Sequence, residues 1–274
     1  MSVASFCARP DRSWVLPWAL LLCLGCGEPT EEISVPPSTA TVVEPTTAIT
    51  VVDDRGRAIS FPSPPRRIVS LVPSSTEIVF ALGAGDRLVG VTEYCDFPPK
   101  AKHVAKVGGF TGNTLGLESI LNLQPEVILA ADKLHQSLVG ELERLQIPVV
   151  VLEPELFSGV YRNIRQLGKL TGTDAKAESI VADMQATVAE VEEVAGQIPP
   201  DQRVKVFYQV WDEPLMAATD HSFIGEMIGM AGGTNVFADL EQRSPQVSEE
   251  AVLDRDPDVI IAPTGRPLYE VRER

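Results

Sequence analysis

The sequence predicts an α/β protein of two lobes, each built on a parallel-type central sheet and joined by one long rigid helix. Three observations predict it. Short β-branched runs alternate with amphipathic helical segments through most of the chain, a rhythm that favours parallel sheets covered by helices. Segment 174–197 breaks that rhythm with a helical pattern too long for a simple crossover. Segments 118–130 (ESILNLQPEVILA) and 250–262 (EAVLDRDPDVIIA) align with six identities in thirteen at a constant offset of 132, as expected of a unit used once per lobe.

The first lobe is assigned to residues 49–172. Segment 67–72 (RIVSLV) is a β-branched run that reads as a buried strand. Ser74-Ser75-Thr76-Glu77 follows as a capping box, opening a helix that ends at Gly83. Residues 87–91 give a short strand, 117–123 a helix, 126–130 a strand and 134–145 a helix. Residues 148–152 then form a strand and 157–170 a helix. The linking helix is assigned to 173–198. Ile180, Val181, Met184, Val188, Val191 and Val194 give it an apolar stripe, and Pro199-Pro200 ends it. The second lobe, 199–274, repeats the pattern: strand 204–210, helix 223–230, helix 248–253 and strand 258–262.

Ahead of the lobes, Arg9 and Arg12 precede an apolar run of about eleven residues at 14–24, the layout of a signal peptide and too short for a spanning helix. Gly25-Cys26-Gly27 closes it. A small residue directly before a Cys at this point resembles the lipobox of bacterial lipoproteins, although Cys23 stands where that pattern prefers Leu. The resemblance implies cleavage of 1–25 and lipidation of Cys26; an ordinary secretory signal is the alternative. Residues 26–48 are rich in Pro, Thr and Glu without periodicity, the composition of a flexible tether.

Composition narrows the function. The 274 residues carry a net charge of −15 and a pI near 4.6, which disfavours nucleic acid and anionic lipid surfaces. Once Cys7 and Cys23 leave with the signal and Cys26 is lipidated, Cys95 has no disulfide partner. No paired Cys or His-x-x-x-His spacing suggests a metal. Nucleotide loops and a Gly-x-Ser-x-Gly elbow are missing, and His103, His135 and His221 are scattered, reading as surface or loop residues. No catalytic residue is assigned, so a two-lobed exported chain of this kind reads as a binder.

Several runs resemble one family, the extracytoplasmic solute-binding proteins of ABC importers with a helical hinge, and within it the cobalamin (vitamin B12) binders. They are 67–77 (RIVSLVPSSTE), 90–98 (GVTEYCDFP), 107–110 (VGGF), the 118–130 unit, 211–216 (WDEPLM), 231–236 (AGGTNV) and 244–250 (SPQVSEE). The resemblance implies a corrinoid cargo held between the lobes, with no cofactor of the protein's own. It assigns Tyr94 as a stacking residue, Phe110 as an aromatic wall, and Trp211 with Asp212 as second-lobe contacts just past a strand end. It further implies docking of Glu118 and Glu250 onto an ABC permease dimer with cytoplasmic ATPase subunits. The protein is then expected in the periplasm or at the cell exterior, held to its membrane by the lipid alone.

Two departures from the family stand out. Ser244 and Ala131 occupy positions where some relatives carry Trp. The family also runs tens of residues past the strand that ends here at Ala262, so the second lobe is expected to be incomplete. The alternatives left open are a ferric siderophore, for which Lys133 and Arg266 are the evident cationic contacts, and haem, which Tyr94 or His221 could ligate. Outside transport, the rivals are an anchored hydrolase or a scaffold lipoprotein.

Overall fold

The computed structural model describes residues 48–262. The signal peptide, Cys26, nearly all of the tether and Arg266 lie outside them. The described chain opens with a hairpin that the sequence reading missed: β1 (Ile49–Val52) pairs antiparallel with β2 (Ala58–Phe61). In its turn the buried Asp53 carboxylate accepts the amides of Arg55 and Arg57 and the Arg57 guanidinium.

The first lobe is a four-stranded parallel sheet in the order β4-β3-β5-β6. Its strands are β3 (Ile68–Ser70), β4 (Leu88–Val91), β5 (Val127–Ala130) and β6 (Val149–Val151). Four helices accompany it: α1 (Pro73–Ala81), α2 (Leu117–Asn122), α3 (Asp132–Arg144) and α4 (Phe157–Thr171). Successive residues serve opposite faces. Val127 and Leu129 join one core cluster with Leu167 and Leu170 of α4, whereas Ile128 and Ala130 join another with Leu138 and Leu142 of α3. Both faces are therefore covered, which is why these strands read as unbroken apolar runs.

Two local expectations need correction. The Ser74–Glu77 box does not cap α1. Val72 takes the N-cap position without a side-chain cap, and Pro73 opens the first turn, where its missing N–H has no intrahelical partner to lose. The Thr76 hydroxyl turns inward instead, donating to Ser70 Oγ at 2.8 Å. The chain also leaves α1 before Gly83, which sits at φ 79°. Helix α3 starts at Asp132 rather than Leu134, because Glu153 Oε2 accepts the amides of Asp132 (2.8 Å) and Lys133 (3.2 Å) and so satisfies a first turn that carries no apolar signal.

The linking helix α5 (Asp174–Ala195) runs 22 residues, or about 33 Å at 1.5 Å per residue. It follows α4 after the left-handed Gly172 and lies against that helix at Gly168, where an added Cβ would stand 2.4 Å from that of Ala177. Beyond it the second sheet is mixed rather than parallel. Its central strand β7 (Lys205–Asp212) pairs in parallel with β9 (Thr234–Asn235) and β10 (Val259–Ile261), and antiparallel with β8 (Leu215–Ala217). The expected parallel character holds for β7 and β10; β8 and β9 were too short to show a period. Helices α6 (Phe223–Met230) and α7 (Glu249–Arg255) complete the lobe, capped by Ser222 and Ser248. Phe207, Ala217, Phe237 and Val252 form its core cluster.

Candidate functional site

In both sheets exposed aromatic residues stand at the strands' carboxyl ends, in the loop after β4 and within the last residues of β7, which is where open α/β sheets take ligands. Tyr94 lies in the loop after β4 and is 61% exposed; Phe110, further along the same connection, is 37% exposed. Their rings meet edge to face, with centroids 5.6 Å apart and planes at 71°. Phe97, three residues after Tyr94, is as exposed as Tyr94 itself. The sequence reading passed over Phe97, although it stands within the 90–98 run; its only signal was an aromatic placed before Pro98 in a loop.

This exposed wall rests on a built foundation. Nearby residues of the loop turn inward: Thr92 and Cys95 are buried. The Cys95 thiol lies 3.2 Å from the hydroxyls of both Thr76 and Thr92. The Lys106 ammonium donates to the carbonyls of Cys95 (2.9 Å), Thr92 (3.2 Å) and Ala101 (3.3 Å), spanning the loop that displays Tyr94 and Phe97. Phe110 is held from α3. Its carbonyl is 3.0 Å from Nε2 of His135, and the Ala131 amide donates to Nδ1 of the same ring at 3.1 Å. His135 was expected at the surface or in a loop; it is fully buried on α3. Burial is the main cause that pulls its pKa below the ordinary histidine value. His103 and His221 are exposed, as expected.

Trp211 is 60% exposed. It does not lie past a strand end as expected; it is the penultimate residue of β7, opposite Met216 of β8, and its indole N–H donates to the Glu213 carbonyl at 3.0 Å. Asp212, half-buried, ends the strand beside it. The two lobes meet near the linking helix, through α4 and α6. Phe157 of α4 stacks on Phe223 of α6 with centroids 4.6 Å apart, and its amide donates to Glu226 at 2.7 Å. Arg243 forms an ion pair with Glu155 across the same boundary. Lys133 is exposed at the start of α3, some way along the chain from the Tyr94 loop.

Glu118 and Glu250 stand second in α2 and α7, both exposed. The Glu250 carboxyl is held below the usual carboxylate range by its own backbone amide and then by the Ser248 hydroxyl. Among the described residues no His, Cys, Asp and Glu cluster of three or more is arranged to hold a metal.

Comparisons with known proteins fit this geometry. Residues 68–267 match the family described as periplasmic binding protein. The chain is 30% identical over 267 residues to an uncharacterized ABC transporter substrate-binding lipoprotein, YvrC, of Bacillus subtilis, covering 94% of this chain and 83% of that one. It is 31% identical over 198 residues to the vitamin B12-binding protein of Pectobacterium carotovorum, covering 72% and 71%. Among solved structures, the periplasmic vitamin B12-binding protein BtuF of Vibrio cholerae superposes with a TM-score of 0.64 at 28% identity, covering 77% and 83%. The periplasmic heme-binding protein RhuT of Roseiflexus superposes with 0.63 at 26%, covering 72% and 76%.

Proposed function

The chain belongs to the periplasmic binding protein family, and from that premise we propose that it captures a corrinoid between its two lobes and delivers it to an ABC permease. The observation that carries this reading is the exposed edge-to-face pair of Tyr94 and Phe110, with Phe97 exposed in the same loop as Tyr94. Proteins rarely leave large aromatics in the open, two of them in mutual contact, without a partner for them. A corrin is a broad, largely apolar ring that such faces cover well, and holding it requires no bond to be made or broken. Trp211, at the carboxyl end of the second lobe's central strand, supplies the opposing aromatic face, and Asp212 beside it a polar contact. Relatives named as vitamin B12-binding proteins support the cargo.

Delivery rests on Glu118 and Glu250, one per lobe, as charge-assisted contacts to a two-fold permease. Cys26 carries the lipid that keeps the protein beside that permease, a reading supported by the lipoprotein name of the Bacillus relative. Cys26→Ala is expected to release the protein from the membrane fraction; retention of that variant in membranes would remove the anchor.

A second reading, haem, is favoured by the exposed Tyr94 phenol, which can serve as an axial ligand. Calorimetric titration with cyanocobalamin, haemin and a ferric siderophore separates the cargoes. Saturable cyanocobalamin binding that weakens at least tenfold in Tyr94→Ala and in Trp211→Leu is the expected result. Binding of haemin with a tyrosinate-type absorption spectrum would replace the cargo, and indifference to all three would remove the transport reading.

A further inference from the structure

The aromatic wall depends on one side chain that never reaches its surface. We propose that His135 is the positioning residue of the Tyr94–Phe110 wall, its ring tying the Phe110 carbonyl to the amide at the start of α3, so that cargo grip requires the imidazole to carry a single proton. The wall's role in binding rests on the function proposed above; the tie itself does not.

The hydrogen-bond pattern fixes the tautomer. The Ala131 N–H donates to Nδ1, so Nδ1 carries the lone pair, and the hydrogen must sit on Nε2, from which it is donated to the Phe110 carbonyl. Both nitrogens are thus used, and the ring is sealed from water. A second proton could enter only at Nδ1, where it would face the Ala131 N–H across 3.1 Å, donor against donor. The ring must then turn or the amide must lose its partner inside the core, and either outcome frees the Phe110 carbonyl. Phe110 stands in a segment, 107–117, anchored by Val107 and Leu115 in the core; between those two anchors its other supports are backbone bonds and the Thr111–Thr114 hydroxyl contacts.

The surroundings give the cation little help. Segment 107–117 and β5 contain no charged residue. The facing anion is Glu153, whose Oε2 is already engaged by the amides of Asp132 and Lys133. On α3 itself, Asp132 is paired with Arg55. Glu153 pulls the proton affinity up, and burial outweighs it. The wall is therefore intact at neutral pH and loosens as the medium turns acid, a response of use to an exported binder whose surroundings are not buffered by a cell interior.

The test follows the purified protein from pH 7.5 to pH 5. Without any cargo, long-range ¹H–¹⁵N correlation spectra should report His135 as the Nε2–H tautomer at the upper end, with nuclear Overhauser contacts between the Tyr94 and Phe110 rings. Those contacts should fade as the His135 ring titrates. With cyanocobalamin as probe, affinity should fall about tenfold per unit once the ring protonates, whereas His135→Gln should bind more weakly than the parent at neutral pH and show no such fall. The glutamine amide keeps a donor near Nε2 for the Phe110 carbonyl, leaves the Ala131 N–H without its acceptor, and does not titrate. Ring contacts that persist through the titration of His135, or an equal acid loss in His135→Gln, would overturn the proposal. If the glutamine variant fails to fold, the cargo-free titration of the parent decides. If cyanocobalamin binds at no pH, the cargo reading fails while the ring contacts still judge His135.

Discussion

Glu126 and Asp258, 132 residues apart, make the same bridge in the two sheets. The Glu126 amide donates to the Arg67 carbonyl at 2.8 Å while its carboxylate accepts the Arg67 amide; the Asp258 amide donates to the Lys205 carbonyl at 2.8 Å while its carboxylate accepts the Lys205 amide. Each acid thereby sets the register of a strand beside its lobe's leading strand, β5 against β3 and β10 against β7. Two residues earlier, Gln124 and Asp256 both sit at φ 46°. The repeat seen in the sequence is thus a repeat of backbone geometry, and it places Glu118 and Glu250 at equivalent positions on their helices.

Equivalent placement leads to a prediction about docking. Glu118→Arg and Glu250→Arg should each leave cyanocobalamin affinity unchanged while weakening permease association by about 2 kcal/mol, roughly thirtyfold. Vesicles containing the permease, with uptake and cargo binding measured on the same preparations, check this. A parallel loss of cargo binding would make these residues part of the fold rather than the docking face.

Lys106 supplies a prediction about the Tyr94 loop. Its three carbonyl contacts span residues 92–101, so Lys106→Met should free the loop that carries Tyr94 and Phe97. Because the residue is exposed, the stability loss should be modest, about 1 kcal/mol in a denaturant titration. Cargo affinity should fall further than stability does, since ligand contact needs the loop in one conformation.

Acid stability carries a signature of Asp132. The Arg55 guanidinium beside it holds its carboxyl below the ordinary value of 3.8. A carboxylate with a depressed folded-state pKa contributes stability above the unfolded value and loses it as pH falls through the folded one. Asp132→Asn should therefore be less stable than the parent at pH 6, by about 0.5 kcal/mol for so exposed a pair. The two should converge only as the pH falls through that depressed folded-state value. Melting temperatures from pH 6 into the acid range decide the matter, and a gap that stays constant as the pH falls would assign the effect to something other than the ion pair.

The first lobe's parallel strands were legible because unbroken apolar runs such as Val149–Val151 are a direct consequence of burial, and the long helix because of its length and period, although Val191 and Val194 of its stripe stay exposed. The hairpin β1–β2 was not, since its alternation is weak and its stability comes from Asp53 and Asp54 contacts made with distant residues such as Val151, Glu153 and Arg162. Strand β8 has three residues, too few to show a period. At the site, Tyr94 and Phe110 were found through resemblance, yet their mutual contact and their dependence on Lys106 and His135 arise from tertiary hydrogen bonds that no local pattern encodes. His135 illustrates the limit: a lone histidine in a helical stretch looks the same in sequence whether it faces water or fixes a wall.

The spacing of the two lobes yields the last prediction. Helix α5 is held to the first lobe by Ala177 and Val181 and buries Ala195 at its far end, so its seat on α4 decides where the second lobe stands. At that seat Gly168 leaves no room: a Cβ would stand 2.4 Å from that of Ala177. Gly168→Ala must therefore push α5 away, and overpacking of this kind costs about 1–3 kcal/mol. Gly140, within α3, is the control, because nothing lies within 4 Å of its added Cβ and its φ is not in the left-handed region. Gly140→Ala should stabilise by up to about 1 kcal/mol through helix propensity alone. If both substitutions raised the melting temperature, the close seat would not constrain the linking helix. If Gly168→Ala lowers it and also changes the distance between spin labels placed on the two lobes, the α4–α5 contact is what sets the width available to the cargo.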